Sequence, residues 1–214
     1  MRLRNKNWVN TYIEENKKHL ITNHKKLHPK SFFKKNKKYF LEIGCGKGEF
    51  IINNALKYPY YNYVAIEKEA TVIGVALKKA ISLLGEDFLN IKFLNSYAEK
   101  LLDIFASKSF DGIYLNFSDP WSKSRHYKKR LTYIMFLNIY YDLLKKGGVV
   151  EIKTDNDNLY KFSLEQIHKS KFIIVFNSED IYDDKENIEN NIASEYEKKF
   201  YSLNQKIKKI IIKK

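Results

Sequence analysis

Tyr39-Phe40-Leu41-Glu42-Ile43-Gly44-Cys45-Gly46-Lys47-Gly48 decides the fold of this chain. The apolar run 39–43 reads as a buried strand, and 49–57 reads as the helix that follows it. Between them, three alternating glycines allow a tight turn and let a ligand approach the backbone. The helix start behind them offers free N–H groups. The spacing is G-x-G-x-G, not the G-x-G-x-x-G of dinucleotide sites, and no G-K-[ST] follows that would make a phosphate loop. Glu42, just before the turn, would repel a phosphate. The turn is therefore built for a ligand without a pyrophosphate.

Outward from this turn, strands and helices alternate. The pattern predicts strands at 63–67, 91–94, 110–117, 149–154 and 172–176, with helices at 70–84, 98–105, 131–145 and 158–169 between them. In the helix 131–145, Ile134, Leu137, Tyr141 and Leu144 supply the apolar face. Gly147-Gly148 makes the turn into 149–154. An acidic, Asn-rich stretch at 177–195 reads as a long loop, 194–201 as a short helix and 206–212 as a last strand at or beside a sheet edge. Such alternation means βαβ units and a mostly parallel sheet with both faces covered, an α/β fold. Residues 1–38 read as a polar, basic arm. Within it, 8–19 is a short amphipathic helix carrying Trp8 and Tyr12, and the lysine-rich piece 25–38 is surface or partly mobile. Residues 39–214 form one domain.

The composition agrees. A chain of 214 residues with 44% hydrophobic content can bury a sizeable core. No apolar run approaches the roughly 20 residues needed to span a bilayer, and the first residues carry no secretory signal. A single cysteine, Cys45, rules out an internal disulfide and a cysteine-built metal site and suits a reducing cytoplasm. No metal and no membrane partner are expected. The net charge of +14 favours a polyanion such as nucleic acid. Coding bias is a competing source of lysine, because Lys, Asn, Ile and Tyr are all abundant.

Two further places carry chemistry. Glu67 ends the second strand about 20 residues after the glycines, where an acid accepts hydrogen bonds from both hydroxyls of a ribose. Asn116-Phe117-Ser118-Asp119-Pro120-Trp121-Ser122-Lys123-Ser124-Arg125-His126-Tyr127-Lys128-Lys129-Arg130 follows the fourth strand. Pro120 stops the strand, so Asp119 stands at its carboxyl end, where open α/β sheets place ligands. An acid, an aromatic plate and a run of cations share this loop, a mixture that suits a planar base and phosphates. Glu42, the glycines and Glu67 together describe an adenosine pocket, and S-adenosylmethionine fits it.

The acid–glycine turn and Glu67 resemble class I S-adenosylmethionine-dependent methyltransferases. The stretch Asp119 to His126 resembles, more narrowly, the D-P-W-x-K-x-R-H loop of the bacterial tRNA (guanine-N7-)-methyltransferase family. Lys153-Thr154-Asp155 and Ser194-Glu195-Tyr196-Glu197, where the family has T-x-[YF]-E, agree in order. The resemblance runs from about Tyr39 to the C-terminus. It implies a Rossmann-like, mostly parallel seven-stranded sheet with helices on both faces and a late antiparallel strand. It also implies methyl transfer from S-adenosylmethionine to N7 of a guanosine in the tRNA variable loop, at tRNA position 46, by a cytoplasmic monomer or homodimer. The implied cofactor residues are Glu42, Gly44, Gly46, Gly48, Glu67, Asn95, Tyr97, Ala98 and Asp119, with Asp119 catalytic. The implied RNA residues are Lys123, Arg125, His126, Tyr127, Lys128, Lys129, Arg130, Asp155, Ser194, Glu195, Tyr196 and Glu197. Ser122 stands where many members have Pro or His. Tyr97 stands where the family has an Asp that bonds adenine, which leaves that contact to backbone near Ala98 or to stacking. The alternatives are a class I methyltransferase of another RNA base or of a small molecule, and a non-catalytic RNA-binding protein.

Overall fold

The computed structural model describes residues 6–22, 26–33, 38–183, 188–189 and 191–214. Seven strands form one sheet: β1 Tyr39–Ile43, β2 Asn62–Glu67, β3 Ile91–Asn95, β4 Phe110–Asn116, β5 Leu144–Thr154, β6 Ile173–Ser178 and β7 Lys208–Lys213. Their order is β3-β2-β1-β4-β5-β7-β6. The first five run parallel, and β7 is antiparallel to both β5 and β6. The expected late antiparallel strand is therefore β7, one place in from the edge. Strand order reverses between β1 and β4, and such a reversal opens a crevice at the carboxyl ends of the strands.

In chain order the helices are α1 Trp8–Glu15, α2 Glu49–Lys57, α3 Ala70–Leu84, α4 Leu101–Ile104, α5 Ile134–Leu143, α6 Asp157–His168 and α7 Glu195–Tyr201. The inner strands are apolar on both faces because helices cover both. In β2, Val64 and Ile66 join Leu41, Ile43 and Leu115 under Leu101, Phe136, Leu137 and Tyr140. Tyr63 and Ala65 face the other way, with Phe93, onto Ile51, Ile52, Ile73 and Leu77. Each such buried side chain stabilises the fold by about 1.5–3 kcal/mol.

Gly147-Gly148 lie inside β5 rather than in a turn before it, and three other differences from the sequence expectation have a visible cause. Helix α5 begins at Ile134, not 131, because Leu131–Tyr133 still belongs to the preceding loop. It ends at Leu143, because Leu144 turns extended (φ −77°, ψ 142°) and already pairs with Phe110. The third concerns 8–22 and 26–33, which lie on the domain. Val9 is buried against Gly74, where a Cβ would come within 2.8 Å of a Val9 methyl, so α1 sits close on α3. Ile21 N–H donates to Phe93 O at 2.9 Å, Leu27 N–H to Ile104 O at 2.7 Å, and Pro29 and Phe33 are buried. Of the lysine-rich piece, Lys25, Lys34, Lys35 and Lys37 fall outside the described residues.

Candidate active site

The loops after β1, β2, β3 and β4 enclose a cleft of about 490 Å³. Gly44, Glu67, Tyr97, Ala98 and Asp119 line it, together with Ile43, Lys68, Ser96, Glu99, Phe117, Trp121, Lys129, Leu131 and Phe136. Of the residues expected to hold RNA, Lys129 is on this wall beside the expected cofactor residues.

The turn after β1 is pinned by Gly44 N–H and Cys45 N–H, which both donate to Ile66 O (2.8 and 2.9 Å). Gly44 and Gly46 have φ of +77° and +54°, and a Cβ on either would meet no protein atom within 4 Å. Their bare faces point into open space, which is what a ligand against the backbone requires. Gly48 serves a different end. A Cβ there would press Ala76 Cβ at 3.1 Å, so this glycine lets α2 and α3 pack and lies off the cleft wall.

Glu67 is held firmly. One oxygen accepts from Lys68 N–H (2.9 Å) and Glu69 N–H (3.2 Å), and the other from Gly46 N–H (3.3 Å). Asn95 braces this corner by donating to Glu67 O and Lys68 O, both at 2.9 Å, and is not part of the cleft wall. Glu42 lies buried beneath the turn. Asn116 donates to its Oε1 at 3.0 Å, while Glu42 Oε2 and Asn116 Oδ1 have no partner among the described residues. Burial pushes the Glu42 carboxyl up to about 8, against the weaker pull of Asn116 and Lys153. An ammonium bound there would displace the Glu42 proton, leaving a carboxylate and the Asn116 oxygen as its acceptors in one buried spot. These residues fit S-adenosylmethionine: open glycine backbone for the amino-acid part, unpaired acceptors for its ammonium and Glu67 for its ribose.

Across the cleft stands the loop after β4. Phe117 and Trp121 both adopt positive φ (+50° and +44°), conformations that non-glycine residues hold only under constraint. The constraint is visible. Phe117 N–H donates to Lys153 O, and Arg130 donates from Nε to Pro120 O (2.8 Å) and from Nη2 to Trp121 O (3.3 Å). The Arg130 guanidinium also lies over Phe162 at 4.4 Å. Expected on a phosphate, Arg130 instead turns inward and holds the loop. Asp119 is 70% exposed, with Lys68 Nζ at 3.9 Å. Lys129 and Lys68 lie over the Trp121 ring at 4.8 and 5.9 Å, and His126 meets its edge. Lys123, Arg125, Tyr127 and Lys128 project outward from a 3-10 turn over Ser124–Lys129.

The C-terminal motif divides. Tyr196 is exposed and packs on Phe117 (5.0 Å) and Phe200 (4.2 Å). Burial, then the charge of nearby Asp155, raises its hydroxyl above the ordinary range. Glu195 is exposed, and Ser194 caps α7 by accepting from Glu197 N–H at 3.1 Å. Glu197, expected at the substrate, has its acceptors taken by the protein. It is wholly buried, accepting from Lys153 Nζ (3.2 Å), Tyr182 Oη (2.9 Å) and Asn191 Nδ2. Lys153, equally buried, donates further to Asn191 Oδ1 and to Ile192 O. The motif showed an acid near the site, but only the fold shows a buried lysine facing it. Sequence reading also missed Lys68, Glu99 and Asn116. Their one signal was position, directly after the ends of β2 and β3 or at the end of β4.

A crevice at a strand-order reversal, with an open glycine turn and a ribose-type acid on one side and an acid–aromatic loop on the other, defines a class I methyltransferase. Solved structures with this fold include an antibiotic-related methyltransferase (TM-score 0.56, 19% identity, 83% of this chain and 87% of that one) and the [4+2]-cyclase SpnF (TM-score 0.59, 13%, 96% and 80%). Residues 36–210 match the family described as "Putative methyltransferase". The chain is 50% identical over 221 residues to the tRNA (guanine-N(7)-)-methyltransferase of Mesoplasma florum, covering 100% of this chain and 99% of that protein. It is 49% identical over 217 residues to that of Mycoplasma capricolum, at 100% and 99%, and 38% identical over 209 residues to that of Bacillus subtilis, at 97% and 96%. The chain belongs to the bacterial tRNA (guanine-N7-)-methyltransferase family.

Proposed function

We propose that this protein transfers a methyl group from S-adenosylmethionine to N7 of a guanosine in the variable loop of folded tRNA. The observation that carries the reading is that Asp119 and Trp121 line the same cleft as Gly44 and Glu67. The full-length relatives, which bear that activity in their names, support it.

When bound, S-adenosylmethionine supplies a methyl group on a positive sulfur. Guanine N7 carries an accessible lone pair and is an acceptor in the groove. The chain therefore removes no proton; it aligns N7 with the methyl and keeps water out. As the N7–carbon bond forms, the methyl carbon–sulfur bond breaks, S-adenosylhomocysteine leaves as a neutral thioether, and the positive charge passes to the purine. Asp119, fixed at the end of β4 through Arg130 and Phe117, faces that charge with a carboxylate. Trp121 offers its ring to the base. Lys123, Arg125 and Lys128 form the outer cationic rim for phosphates, with Lys129 and His126 steadying Trp121. Glu42, with its spare oxygen, receives the ammonium of the cofactor. Tyr196 and Asp155, across from Phe117, flank the path of the guanosine. Among the described residues no helix is long and apolar enough to cross a membrane, and we place the protein in the cytoplasm with its substrate.

Incubation with unmodified tRNA and methyl-labelled S-adenosylmethionine, followed by nucleoside analysis, tests the reading. The expected product is 7-methylguanosine. Label in any other nucleoside overturns it.

A further inference from the structure

The cofactor reading leaves the base end of the ligand without a partner, because Tyr97 presents a phenol. We infer that Glu99 accepts the exocyclic amino group of the adenine and sets the preference for an adenosyl ligand. This inference rests on the proposed cofactor site and adds its base-recognition residue.

Strand order supplies the direction. The glycine turn follows β1, the ribose acid Glu67 ends β2, and the next strand outward is β3. A nucleoside whose ribose meets Glu67 thus carries its base toward the loop after β3, which is Ser96–Glu99, and that loop lines the cleft.

Three acids line the cleft. Glu67 is occupied by three backbone N–H groups, and Asp119 lies beside Lys68 on the opposite loop. Glu99 alone makes no hydrogen bond or ion pair among the described residues. It is exposed on the cleft wall, close enough to the interior for its charge to be felt there. After burial, the Glu99 charge is the other influence that raises the Tyr140 hydroxyl, and that hydroxyl donates to Leu131 O at 3.1 Å. Leu131 is on the cleft wall, as is Phe136. Glu99 therefore stands where apolar walls, Ile43, Leu131 and Phe136, suit a purine face and where an N–H donor at the purine rim needs an acceptor. Tyr97, 56% exposed at the mouth, is placed to cover the ring.

Calorimetry with S-adenosylhomocysteine and its analogue bearing hydrogen in place of the 6-amino group tests this. Wild type should bind the amino ligand about tenfold more tightly, the scale of one charge-assisted hydrogen bond. Glu99→Ala should lose that preference while binding the deaminated ligand unchanged. Glu99→Gln, which keeps an acceptor, should retain part of it. Tyr97→Phe should keep the preference in full. Equal weakening of both ligands by Glu99→Ala, an unchanged preference, or its loss in Tyr97→Phe overturns the inference while leaving the cofactor site standing. If wild type binds neither ligand, the cofactor reading itself falls.

Discussion

Asp119 and Glu42 are both acids at the ends of neighbouring strands, and their surroundings give them opposite tasks. Asp119 is open to the cleft and, among the described residues, pairs with Lys68 alone. Changing it to Asn keeps the shape and removes the charge, so turnover should fall about 10²–10³-fold, the scale for one preorganised electrostatic group. Affinity for tRNA should change little; an Asp119→Asn enzyme with full turnover contradicts the role. Glu42 is sealed, with its folded carboxyl raised to about 8 from an ordinary 4.5. Its folded state therefore holds a proton that the unfolded chain has lost. Stability is undiminished below the unfolded value and declines as pH rises toward the folded one, by at most about 1.4 kcal/mol per pH unit. Glu42→Gln should flatten the fall in stability between about pH 5 and 8, as read from urea unfolding. An identical pH profile in the mutant would show that Glu42 ionises freely. Both acids were legible in the sequence as strand-end carboxylates. Their difference was not, because burial depends on Asn116 and α2, which only the fold brings to Glu42.

At the scale of elements, the loop between β4 and α5 is held by a half-buried cation and the segment leading into α7 by a buried ion pair. For the first, Arg130 does the holding, so the outer cations are free for phosphates. Replacing Lys123, Arg125 and Lys128 together with Gln should lower the slope of log affinity for tRNA against log salt by about 2, since each neutralised phosphate releases counterions. Cofactor affinity should stay as it was. An unchanged slope places the RNA on another surface. For the second, Lys153→Met strands the Glu197 carboxylate in the interior and should cost about 3–5 kcal/mol. Lys153→Met with Glu197→Leu should cost less than the sum of the two single changes. Additive losses in denaturant unfolding would mean that the pair does not act as one unit. The strands were readable because apolar runs of the right length alternated with helical periods. The start of α5 was not, because Leu131 and Tyr133 continue the apolar pattern while the backbone is still in the loop. The tethering of 8–22 and 26–33 also escaped, since the pairing of Ile21 with Phe93 and of Leu27 with Ile104 leaves no periodic mark.

Over the whole molecule, a net charge of +14 surrounds a cleft lined by three acids, Glu67, Glu99 and Asp119. The field draws a polyanion to the surface, and the acids meet the cationic ligand and the cationic product inside. The central claim is that N7 of a guanine supplies the attacking lone pair. A tRNA transcript with 7-deazaguanosine at the variable-loop position keeps the pairing edge and replaces that lone pair with a C–H. With methyl-labelled S-adenosylmethionine, the expected result is full labelling of the guanosine transcript and none of the 7-deaza transcript, which should still compete for binding. Undiminished label in the 7-deaza transcript would contradict it.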